Sequence, residues 1–146
     1  MRTPVWSEFY SLGIPEVDND HRGLFAAMGD LADAVVRQDW DSARAILQVI
    51  PPDATKHFTR EERLMRRVGY SGLEWHRKQH ATARKHLGIL VQAALAGGIG
   101  SCGPVIAYLR SWMPAHIRLH DRMMTASVRN FRRSLPFRRA ARAAAR

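Results

Sequence analysis

The sequence predicts an all-α protein, an antiparallel up-down four-helix bundle with a short N-terminal arm and a basic C-terminal tail. Three observations predict it. Apolar residues recur at spacings of three and four along most of the chain, the period of a helix, with no strand-like alternation. Breaks such as "VGYSG" and "GGIGSCG" cut this pattern into long segments. The links between segments are short, so neighbouring helices run antiparallel.

The first helix is expected to open at Asp18 as N-cap, with Asp20 in its first turn. Its apolar stripe is His21, Leu24, Phe25, Met28, Leu31 and Val35. The second begins near Asp39 or Asp41. At Pro51-Pro52 it is expected to kink or restart, because proline removes a backbone donor and clashes one turn back. It continues to about Val68, where Gly69 ends it. The third spans about Gly72 to Ala96, with a stripe of His76, His80, Leu87, Leu90 or Val91, and Ala94. The fourth runs from about Pro104 to Phe131 with Leu109, Trp112, Met113, His116 and Met123 inward.

Composition bounds the class. A chain of 146 residues can bury one real core, and 46% apolar residues fit a globular protein. No apolar run approaches the roughly 18–20 residues of a membrane span. The start, "MRTPVWSEFY", lacks the pattern of a signal peptide, so a cytoplasmic location is expected. Cys102 is the single cysteine, which excludes an internal disulfide; in "GGIGSCGP" it reads as an inert loop thiol.

Charge is uneven. Residues 1–121 carry 15 Lys and Arg against all 13 acidic residues, while residues 122–146 carry 8 Arg and no acid. The expected division is a bundle over 1–131 and an Arg/Ala-rich tail over 132–146, with no second domain. Arg138, Arg142 and Arg146 recur every four residues. They make either a frayed, solvated end or a basic stripe for an anionic surface, lipid or nucleic acid.

The chemistry sits in the histidines. His57/Glu61 and His76/His80 are i,i+4 pairs, so each pair aims two ligand atoms one way. His21 and His116 fall on the apolar stripes of the first and fourth helices. A lone inward histidine is usually a satisfied core residue, and one His/Glu pair is usually a surface pair. Together they put a metal-capable group on the inner face of every helix. Imidazoles buried without partners cost a few kcal/mol each by typical polar-burial penalties of about 1–3 kcal/mol, and a metal satisfies them jointly. Glu62, about 100° from Glu61, is expected to face water. From His116, spacing alone selects His120 at i+4; Asp121 at i+5 lies about 140° round an ideal helix.

Four motifs carry a family resemblance over roughly residues 5–128: "W…LGIPEVDNDH", "HFTREERLM", "HRKQH" and "HIRLHD". The chain resembles the bacterial hemerythrins, all-helical oxygen-binding proteins with a non-haem di-iron centre. The resemblance implies seven ligands: His21, His57, Glu61, His76, His80, His116 and Asp121. His76, His80 and His116 would hold one iron, and His21 and His57 the other. Glu61 and Asp121 would bridge them, with an oxo or hydroxo bridge as third link. The family thus selects Asp121 over His120, a choice that a locally widened turn would permit. It leaves His86 and His120 outside the ligand set. It also implies that Phe58, Trp112, Met113 and Ile117 surround the open iron position. The implied function is reversible O2 binding for delivery, storage or sensing, an O2-binding protein rather than an enzyme. The alternative is redox catalysis, reducing peroxide or nitric oxide at the same site. Three features depart from the family pattern: Pro51-Pro52 and Pro114 inside helices, and Met113 where leucine is common.

Overall fold

The computed structural model describes residues 4–145. It is all-helical, with no strand among the described residues. The helices are α1 (Pro15–Val36), α2 (Trp40–Val68), α3 (Leu73–Gly97), α4 (Gly103–His116) and α5 (Arg122–Ala144). A single π turn, Ile117–Asp121, joins α4 to α5 into one continuous rod. Four rods therefore form the bundle. α1 packs against α2 and α4, and α3 against the same two, which closes the ring; short links make successive rods antiparallel.

Local chemistry sets the boundaries. α1 begins one turn before Asp18, with Pro15 at its first position, where proline's missing N–H costs nothing. Asp18 does not cap this helix. Its buried carboxylate instead accepts from Ser11 Oγ and from the backbone N–H groups of Leu12 and Gly13, tying down the entering loop. Asp39 caps α2 by accepting from the Ser42 N–H at 3.0 Å. Gly69, at φ 69°, takes the left-handed position that ends α2, and the Tyr70 N–H reaches back to the Met65 carbonyl.

Of the kink or restart expected at Pro51-Pro52, the restart does not occur; α2 is one helix of 29 residues. Proline's fixed φ suits a helix, and its cost is local. Leu47, Ile50 and Ala54, which bracket the prolines, are buried in the bundle core, while Pro52 faces solvent.

The fourth rod differs from its expected stripe after His116. Met124 is fully buried, and Met123 is 59% exposed. The π turn accommodates one extra residue, so every inward position beyond it shifts by one.

The core falls into two apolar parts. The larger runs from Phe25, Met28 and Leu31 through Leu47, Leu87 and Leu109 to Phe58 and Ile117. The smaller holds Ile14, Val17, Met65, Met124 and Val128. Between them along all four rods lies a layer of buried polar side chains. Cys102 is fully buried at the start of α4, and burial pushes its thiol pKa up, as befits an inert thiol.

The N-terminal arm closes over the same level. Its one 3-10 turn, Glu8–Tyr10, is tied by Arg122, which donates to the Phe9 carbonyl at 2.8 Å. Trp6 packs on Phe25 and Tyr10. At the other terminus α5 crosses position 131 without a break and runs to Ala144, its last turns exposed. Arg138 and Arg142 lie in these turns; Arg146 lies outside the described residues. Among the described residues, no helix is long and apolar enough to cross a membrane.

Candidate metal centre

The polar layer is built from i,i+4 spacing on two helices and one exception to it. His57 and Glu61 on α2, and His76 and His80 on α3, each point inward as pairs. His21 comes from α1 and His116 from the end of α4. Asp121, five residues beyond His116, is brought to the same side by the π turn, whose Arg122 N–H bonds back to the Ile117 carbonyl. All seven residues are at most 3% exposed.

Their ligand atoms form two overlapping groups. Glu61, His76, His80, His116 and Asp121 make one; His21, His57, Glu61 and Asp121 make the other. The two carboxylates belong to both. Within the first group the Nε2 atoms of His76, His80 and His116 form an equilateral triangle of side 3.1 Å. Asp121 Oδ1 stands 3.0 Å from His116 Nε2 and 3.1 Å from His76 Nε2, while its Oδ2 stands 3.3 Å from His21 Nε2. Glu61 Oε2 lies 3.2 Å from His80 Nε2 and 3.6 Å from His57 Nε2.

These distances fit a metal better than a proton network. All four carboxylate oxygens of Glu61 and Asp121 are buried without a hydrogen-bond donor, a situation that costs several kcal/mol unless a cation is present, given roughly 1–3 kcal/mol per unsatisfied group and more for charged ones. Three ring nitrogens 3.1 Å apart cannot all be joined by hydrogen bonds, because a neutral imidazole has one N–H. The same triangle is one face of an octahedron with arms of about 2.2 Å, close to metal–imidazole bond lengths. Five imidazoles and two carboxylates suit a borderline transition ion such as iron, not calcium or magnesium.

Electrostatics keeps the nitrogen lone pairs free. Burial, reinforced by His116 and His76, lowers the His80 pKa to about 2. Burial lowers that of His57 as well, against the pull of Asp20. Glu61 is pushed well above the usual carboxylate range by burial and by the charge of Asp121. Burial also opposes ionisation of Asp121, but His116, His21 and His76 hold it well below that range. Without a cation the centre thus favours a proton on Glu61 and none on His57 or His80.

Outer carboxylates orient two of the histidines. Glu62 Oε1 meets His80 Nδ1 at 3.1 Å, and Glu62 is itself held by Arg77 Nε at 3.5 Å. This corrects the expectation that Glu62 faces water: it points across the α2–α3 interface and is only 18% exposed. Asp20 Oδ2 lies 3.5 Å from His57 Nδ1, and its other oxygen accepts from Arg60 at 2.8 Å. Arg60 and His57 keep Asp20 below the usual carboxylate range despite its partial burial. Such outer partners fix the tautomer and aim of a ligating imidazole. A single-helix pattern missed both, because each partner is brought from a neighbouring helix.

Aromatic rings wall the layer. Phe58 stacks on His80 with centroids 4.2 Å apart, and Trp112 on His116 at 4.3 Å. Met113 and Ile117 are buried in the same core. Trp6, the tryptophan of the "W…LGIPEVDNDH" motif, stacks on His21 at 6.3 Å. His120 joins neither ligand group; its ring lies between Trp75, at 4.6 Å, and His116, at 4.9 Å. His86 is exposed and lies on Tyr108.

Comparison with known proteins agrees with this geometry. The model of the hemerythrin HHE cation-binding domain matches residues 12–126. The chain is 30% identical to a myohemerythrin of Sipunculus nudus over 117 residues, 80% of this chain and 87% of the relative. It is 25% identical to a bacteriohemerythrin of Pseudomonas aeruginosa over 127 residues, 86% of this chain and 82% of the relative. A bacteriohemerythrin of Clostridium acetobutylicum is 30% identical over 80 residues, 52% of this chain and 62% of that one.

Proposed function

The chain belongs to the hemerythrin family, and from that premise we propose that it binds O2 reversibly at a non-haem di-iron centre, in delivery, storage or sensing. The observation that carries the reading is the pair of buried carboxylates, Glu61 and Asp121, that face five histidine nitrogens with no donor of their own. In this reading His76, His80 and His116 hold one ion, His21 and His57 the other, and Glu61 and Asp121 join them. When bound, two ferrous ions supply the electrons for reversible O2 binding.

The chain's own residues do the rest. Five neutral imidazoles and only two carboxylates give the centre little anionic charge, a poor support for the high oxidation states that O–O cleavage needs. The Glu62–His80 contact holds one ligand ring in place, and Asp20 steadies His57 by its charge. Phe58, Trp112, Met113 and Ile117 line the layer with apolar surface and limit the entry of water and protons. The bundle over residues 1–131 is the O2-binding unit in this reading, and the basic tail over 132–146 lies outside it.

The test is anaerobic loading with ferrous iron, elemental analysis, and exposure to air followed by visible absorption. Two irons per chain and a charge-transfer band that vanishes on removing O2 are expected. One iron, or zinc held in preference, would count against the reading. Redox catalysis at the same centre is the second reading, favoured by a redox-active ring, Trp112, stacked on His116. The lifetime of the oxygenated form separates the two.

A further inference from the structure

Four rings stand in file between the surface and the centre. His86 is exposed and lies flat on Tyr108, centroids 4.6 Å apart and planes 7° from parallel. Tyr108 is half-buried and stacks on Trp112 at 6.3 Å and 21°. Trp112 is half-buried and stacks on the buried His116 at 4.3 Å and 17°. The file follows from the sequence, since Tyr108, Trp112 and His116 occupy successive i,i+4 positions on one stripe of α4. Packing alone accounts for the burial and the offset stacking of such rings. Here exposure grades from outside to inside, and the two inner members before the ligand are tyrosine and tryptophan, whose rings give up single electrons readily.

We infer that Tyr108 and Trp112 form a one-electron route from the protein surface to the metal centre, with His116 as its last ring. The inference rests on the di-iron reading above and deepens its redox branch. Electron transfer falls steeply with distance, and stacked rings keep each step short. One electron passes from Trp112 through His116 to an oxidised centre. Tyr108 then gives one electron to Trp112 and releases its phenol proton to solvent, leaving a neutral tyrosyl radical. Burial pushes that phenol up to about 12, so it starts protonated. His86 lies face to face with the phenol rather than edge to edge, so it is not aligned to take the proton. A small thiol then returns a hydrogen atom to the tyrosyl oxygen. With hydrogen peroxide as oxidant, two passes deliver two electrons, the two protons released to solvent match the two that the peroxide oxygens take up from it, and the two thiyl radicals left behind couple. One peroxide and two thiols become two waters and one disulfide.

A second file reaches His116 from Trp75 through His120. A neutral imidazole is hard to oxidise, so this file lacks a relay in its middle. The test is to load the full chain with iron, measure the iron, mix with hydrogen peroxide, freeze rapidly, and record electron paramagnetic resonance with ring-deuterated tyrosine or tryptophan. A tyrosyl radical is expected, lost in Tyr108→Phe, where a tryptophan radical persists instead. It is also expected to be lost in Trp112→Phe with the iron content unchanged, which separates the route from mere packing, since phenylalanine keeps an aromatic ring there but is hard to oxidise. An unchanged tyrosyl yield in iron-loaded Trp112→Phe, or a radical lost only when Trp75 is replaced, overturns the route. Two irons with no radical on Tyr108 overturn the route and leave the di-iron reading standing. A chain that takes up no iron overturns both.

Discussion

Asp121 Oδ1 lies 3.0 Å from His116 Nε2, although the two residues are five apart on one rod and should point about 140° from each other on an ideal helix. The π turn Ile117–Asp121 removes the conflict. It widens the helix by one residue, swings Asp121 into the layer and leaves His120 beside Trp75. A π turn is rare within a helix and is frequently found at functional sites.

The roles of these two neighbours should therefore separate cleanly. Asp121→Ala is expected to lose the iron pair, and His120→Ala to keep two irons and a near-normal oxygenated spectrum. Elemental analysis and visible spectra of both variants check this. Iron retained in Asp121→Ala but lost in His120→Ala would reverse the register.

Glu62 offers a test of the outer contacts. Removing the partner of a ligating histidine typically weakens metal binding by about 10–100-fold. Glu62→Ala is expected to fall in that range, with Glu62→Gln less affected, because the amide oxygen still accepts from His80 Nδ1. Competition against a coloured chelator measures it. Equal affinities in all three proteins would reduce Glu62 to a partner of Arg77 alone.

The metal-free protein should lose stability in acid in a defined way. Folded His80 has a pKa of about 2, and that of His57 is also lowered. Unfolded histidines titrate near about 6.5. Below that pH the unfolded chain binds protons the folded chain refuses, so each histidine's contribution is complete above about 6.5 and is lost as pH falls. Glu61 acts oppositely: its raised pKa means the folded chain keeps a proton that the unfolded chain releases above its ordinary carboxyl pKa. Two histidines against one glutamate leave stability falling as pH drops below about 6.5, with the opposing Glu61 contribution fading as the pH nears the ordinary carboxyl range. Urea unfolding across that window measures it. Glu61→Gln is expected to steepen the slope, and a flat profile would sink the assignment.

How much of this was legible in the sequence depends on whether one helix or two must be known. His21, His57, Glu61, His76, His80 and His116 follow from a 3.6-residue period within single helices, and the structure puts them in one layer. Asp121 and Met124 do not, because periodicity assumes a regular turn and the rod has one irregular turn between them and His116. Glu62 and Asp20 fail for another reason. A helical wheel gives an angle, not the neighbour waiting at that angle, and both point to histidines on adjacent helices. The start of α1 lies a turn earlier than Asp18 suggests, because Asp18 resembles a cap while Pro15 in "GIPEVD" marks the first turn. At Pro51-Pro52 the core contacts of Leu47, Ile50 and Ala54 outweigh a local preference for a break.

The last prediction concerns Met113. It is 3% exposed, sits one position after Trp112, and shares the core that walls the centre. Thioether sulfur is flexible, polarisable and oxidisable, and the sulfoxide is polar. A sulfoxide in that wall would admit water and protons toward the centre and shorten the life of the oxygenated form. Leucine nearly conserves the volume, so Met113→Leu should cost less than about 1.5 kcal/mol of stability. The oxygenated form of Met113→Leu is expected to outlast that of the unaltered chain, increasingly so over repeated oxygenation cycles. Stopped-flow decay of the oxygenated band, with mass spectrometry of the Met113 peptide after each cycle, follows both quantities together. Equal lifetimes with an unoxidised methionine would place Met113 in ordinary packing, and sulfoxide accumulating without any change in lifetime would show that this part of the wall does not govern proton entry.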